Sequence, residues 1–181
     1  MRTDRPRRFL LPAAAAVLFA AAASCMGPPS ERTAKVRVPF LPQPPDECGA
    51  SALAMVERYH GASPDMDALL AYVQIPALAG TIPELLAEAA RRDGFTAGIR
   101  TLEPIEIHAH LLAGRPLILL LGPDPDTPDD PRGHFLVATG YDPRTRALRA
   151  HTGERRDVWL PAADWLPRYR AASSTALVLS P

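Results

Sequence analysis

Pro116-Leu117-Ile118-Leu119-Leu120-Leu121 is a continuous apolar run of strand length. A strand that is apolar at every position belongs in the interior of a sheet, covered on both faces, so the rest of the chain must supply that cover. Ahead of the run, residues 48–60 carry Leu53, Val56 and Tyr59 at helical spacing and stop at Gly61. A second helix is expected over residues 65–73, entered through Ser63-Pro64. A third follows Thr81-Ile82-Pro83-Glu84, which reads as a capping box, and its apolar face is Leu85, Leu86 and Ala89. Residues 95–99 read as a short strand and residues 101–113 as a weaker helix ended by Gly114. Beyond the run, strands are expected at 134–141 and 147–152, joined by a turn at Asp142-Pro143-Arg144-Thr145. A strand at 158–160, a helical turn near 162–169 and a last strand at 175–179 complete the chain. Helices first and an antiparallel sheet second is an α+β arrangement.

The N-terminus reads as an export signal. Arg2, Arg5, Arg7 and Arg8 precede an apolar run over residues 9–23 that is too short and alanine-rich for a membrane span. Ala22-Ala23-Ser24-Cys25 resembles the lipobox of bacterial lipoproteins, with Cys25 as the lipidated residue. The alternative is an ordinary signal peptide cut before Cys25. Residues 1–24 are thus expected to be removed, 25–35 to form a lipidated tether, and 36–181 to form one domain. Met26 follows Cys25, where an aspartate would favour retention at the inner membrane, so the periplasmic face of the outer membrane is the expected location. The signal holds four arginines and one aspartate, leaving 16 basic and 19 acidic residues in the mature part, a net of −3. No basic stripe is present, and nucleic acid is not an expected partner.

With Cys25 assigned to lipid, Cys48 has no disulfide partner in an oxidising compartment, which points to a chemical role rather than an inert core thiol. It stands between the proline-rich acidic loop Gln43-Pro44-Pro45-Asp46-Glu47 and a small-residue helix, and a helix N-terminus favours the thiolate. His134 opens a strand after a flexible loop, on the face of Leu136 and Ala138. His60 lies about 18 Å along the Cys48 helix, and His108 and His110 have no carboxylate or cysteine at ligand spacing. Neither a cofactor nor a metal is expected. The loop at 122–133, with Asp124, Asp126, Asp129 and Asp130, lacks EF-hand spacing and reads as solvated.

The stretch from Gln43 through Cys48 to Val56, the Tyr59-His60-Gly61 that ends its helix, Gly114-Arg115-Pro116, and Gly133-His134-Phe135-Leu136-Val137 together resemble the bacteriocin-processing (double-glycine leader) cysteine peptidases. The resemblance is closest to the exported peptidase-like domains of that group, which belong to the papain-like superfamily, and it spans residues 36–180. It implies a papain-like fold and a peptide or protein substrate. It implies Cys48 as nucleophile, His134 as the group that takes and returns the proton, and Gln43 as a donor to the oxyanion. The family's third member, Asp or Asn at the end of the strand after the histidine strand, has no counterpart. Asp142-Pro143 ends the strand that His134 begins, about 27 Å away. The return strand comes back near His134 at His151 and Thr152 instead. Thr152 can accept from the imidazole N–H, and so can a neutral His151. The favoured function is an envelope-tethered thiol peptidase. The same residues suit another acyl-transfer enzyme, an amidase or transpeptidase, and the same fold suits a peptide-binding module.

Overall fold

A computed structural model describes residues 31–127, 129–153 and 155–181; the expected signal segment and Cys25 lie outside the described residues. Thr33–Pro181 packs as one unit. Among the described residues no helix is long and apolar enough to cross a membrane. The elements are β1 (Ala34–Lys35), α1 (Cys48–Tyr59), α2 (Met66–Val73), α3 (Pro83–Arg92), β2 (Thr96–Thr101), α4 (Pro104–Leu112), β3 (Leu117–Leu121), β4 (His134–Asp142), β5 (Ala147–Thr152), β6 (Arg155–Leu160), α5 (Ala162–Ala171) and β7 (Thr175–Ser180). This is the expected α+β order of helices and antiparallel sheet.

All strand pairs are antiparallel, in the order β2-β7-β3-β4-β5-β6, with β1 added to β4. The apolar run forms β3, with β7 on one edge and β4 on the other. Leu117, Ile118, Leu119 and Leu121 are buried, which is why every position of that strand is apolar. β1 prolongs the β3 side of β4, pairing Ala34 with Tyr141 and Lys35 with Gly140.

Small residues let α1 lie close against the sheet. A Cβ at Gly49 would come within 2.3 Å of Thr81 Cγ2 and 3.2 Å of the Phe135 ring. Contacts of this kind leave no room for a side chain there, and α1 is buried from Gly49 through Glu57. Glu57 is the charged residue in that buried stretch. Neither carboxylate oxygen has a hydrogen-bond partner; burial, with the Asp93 carboxylate second, pushes its pKa up to about 7.

The expected capping box at Thr81 does not form. α3 starts at Pro83, with Ile82 at the N-cap and no side-chain cap bond, because proline suits the first helical position and pushes the boundary one residue past Thr81. A capping box forms instead at α4, where Glu106 Oε2 accepts from the Glu103 N–H at 2.7 Å.

Candidate active site

Leu121 pairs with His134, so the end of β3 and the start of β4 meet at one end of the sheet. α1 begins at this end too, since Gly49 abuts Phe135. The segment from Val36 to Gln43 runs towards it alongside β4 and β5. Val36 N–H donates to Thr139 O at 2.7 Å, and Gln43 N–H donates to Gly153 O at 3.3 Å. A groove at this end is lined by Gln43, Cys48, His134, Gly153, Asp124 and Arg168 among others.

A tight turn delivers Cys48. Glu47 N–H donates to Pro44 O at 3.2 Å, and Asp46 takes a left-handed φ of 68°, which a short polar side chain tolerates better than most. Arg132 pairs with Asp46 across the groove and with Asp130 on its own loop, the latter at 2.7 Å. Backbone N–H groups of Phe135, Gly49 and Cys48 itself, together with the positive potential of Arg132, pull the thiol pKa down. These contacts favour the thiolate, yet burial outweighs them and raises the Cys48 pKa. The helix terminus therefore does not produce the resting thiolate that the sequence position suggests, because desolvation of a buried charge opposes it.

Gln43 is buried and fully constrained. Gly153 N–H donates to its Oε1 at 2.7 Å, and an N–H can meet only the amide oxygen. That bond turns Nε2 inward, where it lies 3.4 Å from Cys48 O and 3.5 Å from Phe135 O. Both of those contacts are long, so the donor is poised beside the thiol and only weakly engaged. The sequence offers no local signal for this lock, which joins residues 110 positions apart.

His134 stands at the first position of β4. Residues paired across a ladder share a face; the pairs Leu121–His134, Leu119–Leu136 and Leu117–Ala138 place its side chain on the face of those leucines. Phe135 lies on the other face, against α1. Thiol and imidazole line the same groove. Burial lowers the His134 pKa, Arg168 lowers it further, and Asp124 acts in the opposite sense.

The return strand places the two residues expected beside His134 differently. Val137 pairs with His151, so His151 occupies the face opposite His134. It is 1 % exposed, with its Nε2–H donating to Val38 O and its Nδ1 accepting from Asp157 N–H, both at 3.1 Å. With both ring nitrogens occupied, His151 has nothing to offer His134. Its work is to hold the segment leading to Gln43 against the sheet. Ala138 pairs with Ala150, which puts Thr152 on the His134 face by alternation. Asp142 ends β4, far from the groove, and accepts from Arg144 N–H at 3.0 Å.

The loop after β3 is not simply solvated. Arg168 of α5 donates from Nε to Gly122 O at 3.1 Å and from Nη1 to Asp124 Oδ2 at 2.7 Å, fixing a carboxylate and a guanidinium in the groove.

No protein-family model and no curated protein matches the sequence. Solved structures do. A double-glycine motif protease from an AMS/PCAT transporter, solved in complex with the leader peptide, is 19% identical with a TM-score of 0.62, over 82% of this chain and 94% of that one. A C39-like peptidase from Bacillus anthracis is 19% identical with a TM-score of 0.66, over 83% and 98%. The peptidase domain of Streptococcus ComA, a bifunctional ABC transporter involved in quorum sensing, is 17% identical with a TM-score of 0.60, over 78% and 96%. The chain has the α+β, papain-like fold of the double-glycine, C39-like cysteine peptidase domains.

Proposed function

We propose that this protein is a thiol peptidase in which Cys48 attacks a peptide carbonyl, His134 carries the proton and Gln43 binds the oxyanion. The observation that carries the reading is the Gly153–Gln43 bond, which aims an amide donor at the space beside Cys48 on the peptidase fold. Sγ forms a bond to the carbonyl carbon, and the C–N bond breaks when His134 protonates the leaving amine. Water then hydrolyses the thioester with His134 as base. Gln43 Nε2 and the Cys48 N–H, one of the helix's unpaired first donors, face the developing oxyanion. In the resting state both reacting groups are neutral, so proton transfer accompanies attack and needs the imidazole within about 2.6–3.2 Å of Sγ.

The test is covalent capture. A peptidyl electrophile library should modify Cys48, identified by mass spectrometry, and Cys48→Ala should remove all labelling. Modification of His134→Ala at the wild-type rate would mean that the thiol reacts without the imidazole, and the reading would fail.

We further propose that Cys25 carries lipid and tethers the domain to the periplasmic face of the outer membrane, on the strength of the arginine-rich start and Ala22-Ala23-Ser24-Cys25. Metabolic labelling with a palmitate analogue should tag the protein, and Cys25→Ser should release it from membranes. Unlabelled, soluble wild type would leave only an ordinary secretory signal.

A further inference from the structure

We propose that Asp124, delivered by the loop between β3 and β4 rather than by the return strand, is the positioning carboxylate of His134. The inference rests on the peptidase reading above. It begins with a vacancy in function. The return strand offers no carboxylate on the His134 face: His151 is turned to the opposite face with both nitrogens engaged, and Thr152 has only a hydroxyl.

Asp124 fills that need from another direction. Leu121 pairs with His134, so the residues just beyond Leu121 leave the sheet where β4 begins. Asp124 comes three residues later and lines the groove with His134. Its carboxylate is not a freely moving surface charge, because Arg168 holds Oδ2 at 2.7 Å while anchoring its own Nε on Gly122 O. Gly122 N–H donates back to Arg168 O at 2.8 Å, and the second carboxylate oxygen of Asp124, Oδ1, accepts from Asp126 N–H at 3.0 Å, with lone-pair capacity left on both oxygens. A carboxylate so held stabilises the imidazolium that forms when Cys48 gives up its proton, while Arg168 restrains that charge in the resting state.

The other charged and titratable groups lining the groove are Cys48 of α1, Asp46 before it, and Asp126, Asp129, Asp130 and Arg132 of the same loop. Arg132 is engaged by Asp46 and Asp130. Asp124 and Arg168 are the two charges that act on the His134 ring, and they act in opposite directions.

Opposite signs separate a positioning role from a structural clip. In the full chain, the His134 imidazole is titrated by NMR in wild type, Asp124→Asn and Arg168→Gln, the last of which removes the charge while keeping a side-chain N–H donor. Asp124→Asn should lower the His134 midpoint by about one pH unit, and Arg168→Gln should raise it by a similar amount. Asp124→Glu should restore most of the wild-type value. In peptide hydrolysis, Asp124→Asn should reduce kcat about tenfold or more with KM little changed. Two variants that shift His134 in the same direction, or not at all, would overturn the proposal. So would a shift produced by Thr152→Val and not by Asp124→Asn. The titration needs no turnover, so the predicted shifts in a protein without peptidase activity would count against the peptidase reading and leave this one standing.

Discussion

Gln43→Ala is expected to lower hydrolysis of a fluorogenic peptide library by about 10²–10³-fold, the usual cost of losing one oxyanion donor. The loss should appear in kcat. Nε2 now rests on two long contacts, to Cys48 O and Phe135 O, and in the proposed mechanism it trades them for a full negative charge only when the tetrahedral intermediate forms. Gln43→Glu is the sharper variant. Its carboxylate can still accept from Gly153 N–H, which preserves the 2.7 Å tie to the loop after β5, but it places a negative charge where one develops. If Gln43→Glu kept more than about a third of wild-type activity, the amide would be a structural clip and the oxyanion would lie elsewhere.

Glu57→Gln should stabilise the domain at neutral pH by on the order of 2–3 kcal/mol, or roughly 5–10 °C in Tm. The carboxyl has a folded-state pKa of about 7 against an ordinary 4.5, from burial and the Asp93 carboxylate. Below the ordinary value both folded and unfolded chains hold the proton and nothing is lost. As pH rises from about 4.5 to about 7 the unfolded chain releases its proton first, so the folded state loses stability across that window. Above it the penalty is complete. Wild type should therefore melt lower at pH 8 than at pH 5, and the glutamine variant should lose most of that difference. Parallel pH profiles for the two proteins would show that Glu57 is hydrated in solution. The position is 0 % exposed, in the helix that begins at Cys48, so the added stability acts where the groove is supported.

Legibility in the sequence followed how local each cause is. The apolar run at Leu117–Leu121 announced a central strand, and α1 could be read from Cys48 to its glycine stop, because periodicity and glycine act over a few residues. Cys48 and His134 stood out in their own segments, Gln43 was named only through the family resemblance, and all three line one groove. Three features resisted. The face of His151 depends on pairing with Val137, and shifting a ladder by one residue reverses it. The Cys48 thiol is held protonated by burial, which no motif records. Asp124 looked like one of several loop aspartates because its distinguishing partner, Arg168, is 44 residues away on α5.

The short strand β1 has a consequence for the groove. It joins β4 at Gly140 and Tyr141, six and seven residues from His134, or about 20 Å along the strand. The chain therefore joins the sheet at Ala34 on the part of β4 remote from His134, and the stretch from Val36 to Gln43 has to run the length of that strand before it reaches the groove. One continuous segment thus couples the far edge of the sheet to the residue that flanks the thiol, so that loosening β1 would be felt at Gln43.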